Sequence, residues 1–307
     1  MSTRMGHKLF RISPIGKHGV KSWCVLDNQA PEYNHLTISS KEGVIWVTID
    51  NPPINLITKS LLSDLIRLSL WLEKEEESIV VVFQSANPDF FLAHFDVTAL
   101  LETPVETTGT TTEELNIFDQ LCERLRLLPK VTICKIAGRV GGGGSEIAMA
   151  CDMRFAALGL AKMNQMEVPI GIIPGGGGTQ RLPSLMGYGR AAELIFGGLD
   201  LDAQMGEEWG YFNRALPLSE LDEYVTWLAD RIASFDHAAV IGAKNSLLNS
   251  VPSPISGLLE ESVQFSKLCY SENGQMLMQR FLDLGGQTVE GELRIPDLSA
   301  EVAKPQE

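Results

Sequence analysis

Cysteine is scarce and never patterned. The five present, Cys24, Cys122, Cys134, Cys151 and Cys269, are odd in number, far apart and without a CxxC spacing. That excludes a disulfide frame or a zinc ribbon and points to reduced thiols. Histidine is equally sparse: there are five, and His7, His18 and His35 lie in or at the edge of an N-terminal extension, so no His-rich metal centre is expected. No run of 18 apolar residues occurs, so no transmembrane helix is expected and the chain is read as having no membrane partner. Positive charge is in the minority, with 25 Lys and Arg against 39 Asp and Glu and a net charge of −14. Nucleic-acid binding depends on neutralising phosphates, so it is disfavoured, although a local basic pocket for a nucleotide-bearing ligand stays open. The glycine runs lack the residues of a phosphate loop: neither is followed by Lys-Ser or Lys-Thr at the required spacing and neither fits GxGxxG. Ser145 is flanked at the elbow positions by Gly143 and Ile147, which disfavours a serine nucleophile.

What is present is a pair of glutamates beside glycine-rich turns. Glu146 lies in GGGGSEIAMACD (141–152) and Glu167 in NQMEVPIGIIPGGGG (164–178). Gly141 to Gly144 stand ahead of an apolar helical stretch, where bare backbone N–H groups at a helix start can approach a ligand oxygen closely. Donors of that kind stabilise an enolate, and two carboxyls nearby can move its protons. Two close carboxyls do not both ionise cheaply, so one of the pair is expected to stay an acid near neutrality.

The 307 residues, 44% of them hydrophobic, suffice for a sizeable core in one large or two small domains. LTIS (36–39) and VIWVTID (44–50) read as a β-hairpin, and IVVVFQS (79–85), VTICKIA (131–137) and MRFAA (153–157) as further strands. Thr58 opens a helix to about Leu72, with Leu61, Leu65, Leu68 and Leu72 at helical spacing; residues 113–128 and 145–151 are further helices. Strand and helix alternate through the first two thirds, the pattern of stacked ββα units on a common core. After Gly187 only helices are predicted, at 189–197, 202–210, 218–233, 237–249, 255–270 and 273–283. Residues 101–113 read as an exposed loop, and 285–307 as a peripheral tail without strong periodicity. The first 26 residues carry Arg4, Lys8, Arg11, Lys17 and Lys21 and no acid before Asp27, which fits either an organelle transit peptide or an extension without targeting meaning.

Five motifs in a fixed order resemble the enoyl-CoA hydratase/isomerase (crotonase) superfamily: NPPIN (51–55), FLAHFD (91–96), IAGRVGGGGSEIAMACDMRFA (136–156), MEVPIGIIPGGGGTQRL (166–182) and a helical segment after Arg190. The resemblance implies an α/β fold, a crotonase-like spiral of stacked ββα units over 35–187 with a C-terminal all-helical trimerisation region over 188–284, after an extension over 1–34 and before the tail over 285–307. It implies a homotrimer or hexamer; the cysteines and the basic N-terminus, read separately, give a location in the cytoplasm, or in mitochondria if that N-terminus is a transit peptide. The implied substrate is an acyl-CoA or other small carbonyl compound, with no cofactor expected beyond the CoA thioester itself and no metal. By the same resemblance the backbone N–H groups of Ala93 and Gly143 form an oxyanion hole, Glu146 activates a water and Glu167 delivers a proton. His94, Phe95, Asp96 and Gly142 are implied as substrate-binding, while the glycine turn 175–178 is read as structural only.

Two departures stand out. His94 replaces the glycine usual after the oxyanion alanine, in a loop expected to cradle the adenine end of CoA, and residues 279–288 contain only Arg280 where a basic cluster is common. Hydration of an α,β-unsaturated acyl-CoA is the leading expectation. Double-bond isomerisation, CoA-independent hydrolysis of a β-diketone carbon–carbon bond and a catalytically silent scaffold are the alternatives.

Overall fold

A computed structural model describes residues 30–102 and 113–304. The basic N-terminal residues through 29, with the targeting expectation attached to them, and most of the 101–113 loop lie outside that range.

Two sheets carry the spiral. β1 (Leu36–Lys41) and β2 (Val44–Ile49) form an antiparallel hairpin whose turn residues Glu42 and Gly43 take φ of 50° and 83°. β3 (Val80–Ser85), β5 (Val131–Ile136), β7 (Met153–Ala157) and β10 (Arg214–Leu216) extend this sheet in parallel, in the order β1-β2-β3-β5-β7-β10. The second sheet joins β4 (Phe90–Leu92), β6 (Arg139–Gly141) and β8 (Lys162–Asn164) in parallel, with β9 (Leu201–Asp202) antiparallel to β8. From β3 to β8 the chain steps alternately between the two sheets, which is the geometry of stacked ββα units.

Helices close both faces. α1 (Lys59–Leu72) starts at Thr58, whose side chain accepts from Leu61 N–H, and buries Leu61, Leu65, Leu68 and Leu72 in the main core. α2 (Val97–Leu101) and α3 (Ile117–Leu127) are capped by Asp96 and Asn116. α4 (Gly142–Ala150) is buried along its whole length. A 3₁₀ turn (Val168–Ile170) leads to α5 (Gly178–Met186), α6 (Tyr188–Gly197) and α7 (Ala203–Trp209). α8 (Leu218–Ala233) lays Leu221, Val225 and Ala229 on the outer face of the first sheet, against Val80, Val82, Ile133 and Phe155. α9 (His237–Leu248), α10 (Ile255–Cys269) and α11 (Glu272–Asp283) follow, then α12 (Val289–Leu293) and α13 (Ile295–Val302).

Three differences from the sequence expectation have physical causes. The region read as all-helical from 188 contains β9 and β10, too short to show a period; they are held by pairing with β8 and β7. α4 begins at Gly142 rather than Ser145, because its glycines are needed for contact and not for a turn alone. The tail from Gly285 is no peripheral arm: Ile295, Leu298 and Val302 are 0–3% exposed and pack with Met278 and Phe281. Among the described residues no helix is long and apolar enough to cross a membrane.

Candidate active site

The site begins where the end of β4 meets the start of α4. Asn55, fully buried, donates to Ser85 Oγ (2.7 Å), Phe90 O (3.2 Å) and Phe91 O (3.1 Å), so the NPPIN segment pins β4 and the loop that follows it. α4 packs on the end of β4 with no side chain between them: a Cβ on Gly144 would come 2.5 Å from Leu92 O. This closeness brings Gly143 alongside Phe95, since a Cβ on Gly143 would lie 3.4 Å from Phe95 N. Gly143 N–H belongs to the first helical turn, whose donors have no acceptor within the helix.

The loop then orients a second donor. His94 O accepts from Ile57 N–H at 2.9 Å. In a trans peptide the C=O and N–H point opposite ways, so the Phe95 N–H turns away from Ile57. Among the described residues it meets no backbone acceptor. Ala93, expected in that role, is directed elsewhere: its N–H donates to Asn55 O at 3.4 Å, and it lines a separate void of about 10 Å³ rather than the cavity that holds the glutamates. The N–H left free beside Gly143 is therefore that of Phe95.

That cavity measures about 490 Å³ and is walled by His94, Phe95 and Val97, by Asn116 to Phe118 at the start of α3, by Met166, Glu167, Ile170 and Ile172, and by Ser262, Phe265 and Ser266 of α10. Glu146, Glu167 and Gly143 all open onto it. Glu146 Oε1 accepts from Gly176 N–H (2.7 Å) and Gly178 N–H (2.9 Å). Glu167 Oε2 lies 3.3 Å from Gln165 Nε2, which donates to it. Glu261 stands behind the same glycine turn and accepts from Gly177 N–H (2.6 Å), Thr179 N–H (2.9 Å) and the Thr179 hydroxyl. Arg181 closes the turn, donating to Gly176 O (2.8 Å) and Glu123 Oε1 (2.7 Å).

Burial raises the pKa of both cavity glutamates. For Glu146 the two glycine N–H donors and Arg181 oppose that rise by favouring the carboxylate. Glu167 is pushed up to about 8 by burial and by the charge of Glu146. The surroundings of the pair therefore favour the carboxylate form at Glu146 more than at Glu167. Glu261, also about 8, and Asp119, about 7, are lifted mainly by burial.

The remaining expected residues divide. Phe95 lines the cavity with its ring edge-on to Phe118 at 5.7 Å. His94 lines it too, 3% exposed and bonded to Glu292. Asp96 does not line the cavity; it caps α2 through Thr98 N–H at 3.0 Å. Gly142, at φ 43°, also lies outside the lining; a Cβ there would sit 2.9 Å from both Glu167 Oε1 and His94 Cβ, so its bareness lets those two groups come together. Arg280 donates to the Lys304 carbonyl. Sequence reasoning missed Gly176, Gly178, Gln165, Glu261 and Glu292. The available signal was the four-glycine run at a helix start, whose free N–H groups suit a carboxylate as well as a phosphate. Among the described residues no three His, Cys, Asp or Glu side chains gather into a metal-holding group.

Comparison with known proteins covers nearly the whole described chain. The family model for enoyl-CoA hydratase/isomerase matches residues 39–287. The chain is similar to a short-chain-enoyl-CoA hydratase from Clostridium acetobutylicum, at 31% identity over 82% of this chain and 96% of the relative. Among solved structures it is similar to an enoyl-CoA hydratase candidate from Streptomyces avermitilis, with a TM-score of 0.81, 36% identity and coverage of 89% of this chain and 100% of that one. An enoyl-CoA hydratase from Bacillus anthracis gives a TM-score of 0.65 at 28% identity, covering 81% of this chain and 96% of that one.

Proposed function

Because the chain belongs to the enoyl-CoA hydratase/isomerase family, we propose that it adds water across the double bond of an α,β-unsaturated acyl-CoA. The observation that carries this reading is the shared cavity: two glutamates with different hydrogen-bond surroundings open onto the space beside the Gly143 and Phe95 N–H groups.

In this reading the thioester oxygen lies between the Phe95 and Gly143 N–H groups. Each such donor typically contributes about 3 kcal/mol to stabilising the oxyanion. Glu146, kept anionic by Gly176 and Gly178, takes a proton from water as its oxygen attacks Cβ. The double-bond electrons move to Cα and the thioester oxygen, giving an enolate. Protonated Glu167 then gives its proton to Cα, leaving Glu146 protonated and Glu167 anionic, and proton exchange between them or with solvent resets the pair. The apolar wall of Val97, Leu100, Ile117, Ile170 and Ile172 suits a hydrocarbon acyl group.

Reaction in deuterium oxide separates hydration from isomerisation. A 3-hydroxyacyl-CoA carrying deuterium at Cα supports the proposal; a product in which the double bond has only moved makes the chain an isomerase. The same reading has it assembling as a trimer or a pair of trimers. Tyr188, Phe196 and Leu247, 76%, 69% and 70% exposed in the helical part, supply apolar surface for self-association, and light scattering on the eluting protein measures the mass.

A further inference from the structure

The reaction just described leaves His94 without a part. Yet among the described residues that line the cavity it is the one side chain able to carry positive charge; the acids there are Glu114, Glu146 and Glu167. Both of its ring nitrogens are engaged, Nδ1 at 2.7 Å from Phe95 O and Nε2 at 3.0 Å from Glu292 Oε1. A carbonyl can only accept, so Nδ1 holds a proton, and a carboxylate facing Nε2 favours a second.

Glu292 comes from α12, in the C-terminal segment. Its Oε1 also accepts from Gln287 N–H at 2.8 Å. Gln287 in turn accepts from Val97 N–H through Oε1 (2.6 Å) and donates to Asp96 Oδ1 through Nε2 (3.1 Å). The segment thus holds the active-site loop at His94, Asp96 and Val97, on both sides of the Phe95 N–H. Across Gly142, His94 also approaches the Glu167 carboxyl.

We propose, resting on the hydratase reading, that His94 and Glu292 are positioning residues for this reaction: the buried pair fixes the loop that presents the Phe95 N–H and keeps one positive charge beside Glu167. Charge balance agrees. Burial disfavours the imidazolium, but the charge and hydrogen bond of Glu292, with help from Phe95 O and Glu167, outweigh it and raise the His94 pKa above its ordinary value. His94 in return lowers the pKa of Glu167 against burial and Glu146. The charged groups around His94 are Glu292 from α12, Glu167 after β8 with Glu146 of α4 behind it, and Asp96 on its own loop. Arg139, paired with Asp200, shares a small void with Glu292, and α11 contributes only the uncharged Phe281 ring at 5.8 Å.

The test compares His94→Asn, Glu292→Gln, the double variant and Glu292→Asp in hydration of crotonyl-CoA across pH. Each neutralising single variant is expected to lower kcat by about tenfold to a hundredfold, with KM changed much less. Loss of the cation lets the Glu167 pKa rise, so the alkaline limb of kcat should move up, by about one pH unit at most. The double variant should be no worse than the worse single, as two halves of one device. Glu292→Asp keeps the charge and should keep the wild-type pH profile. Effects of the two singles that multiply, or an alkaline limb that stays in place while the rate falls, overturn the proposal. Turnover is not the only readout: NMR of the imidazole resonance that disappears in His94→Asn reports the ring's charge. An imidazolium that persists above neutrality and is lost in Glu292→Gln supports the pair, and a neutral ring at neutrality in the wild type overturns it. If the wild type hydrates no enoyl-CoA, the hydratase reading fails, and the NMR result still decides the pair.

Discussion

The Gly176 N–H donates to Glu146 Oε1 across 2.7 Å, and Gly178 adds a second donor at 2.9 Å to the same oxygen. One glycine turn therefore holds the carboxylate that the proposed reaction uses as its base. The turn has no space for a side chain: a Cβ on Gly176 would lie 2.3 Å from Phe118 Cε1 and 2.7 Å from Glu146 Oε2. Gly176→Ala should displace Glu146 and lower kcat by about a hundredfold, while circular dichroism shows the fold intact. Unchanged turnover in that variant would remove the turn from the catalytic apparatus.

Proton supply sets a pH limit. In the proposed reaction Glu167 serves as the acid only while protonated, and burial with the charge of Glu146 pushes its pKa up to about 8. The rate of the bound complex should fall as pH rises through about 8, and a kcat profile that stays level well beyond that value would contradict the assignment of the acid.

Stability should carry its own pH signature through Glu261. Its pKa is raised from an ordinary 4.5 to about 8, mainly by burial, so between those values the folded chain keeps a proton that the unfolded chain has lost. The native state then binds more protons, and this group's contribution makes stability fall as pH rises across that window. Glu261→Gln ionises in neither state. Denaturant unfolding at the two ends of the window should show a flatter pH dependence in the variant than in the wild type; equal slopes would argue that Glu261 ionises normally in the fold.

Packing of the C-terminal segment is directly measurable. Leu298 is fully buried among Met278, Phe281 and Ile295. Leu298→Ala should cost about 2–5 kcal/mol in unfolding free energy, the range for a leucine truncated in a core. A cost within about 0.5 kcal/mol, as for a surface change, would return the segment to a peripheral role.

The spiral was legible in the sequence because its long strands and helices carry strong local signals. Thr58 ahead of four leucines at helical spacing gives α1, and the apolar run at 79–85 gives β3. β4, β6 and β8, three residues each, show no period and are defined only by pairing with one another. The glutamates were legible because each adjoins a glycine run, whereas their holders were not: Glu261 reaches the turn at Gly177 from 84 positions away, and Glu292 reaches His94 from 198 away. No local spacing encodes contacts of that range. The free N–H beside Gly143 belongs to Phe95 and not to Ala93, two positions away, because peptide orientation depends on which loop groups the Ile57 N–H and the Asn55 carbonyl engage. The tail does carry local signals: Thr288 caps α12, and Ile295, Leu298 and Val302 recur at helical intervals in α13.

The central claim is that Glu146 and Glu167 act together on an enoyl thioester. Loss of the enone absorbance of crotonyl-CoA, followed for the wild type, Glu146→Gln and Glu167→Gln, tests it most directly. Wild-type turnover is expected, with kcat lower by about a hundredfold to ten-thousandfold in each variant, the range for losing a general acid or base. Wild-type turnover that survives both substitutions would contradict it.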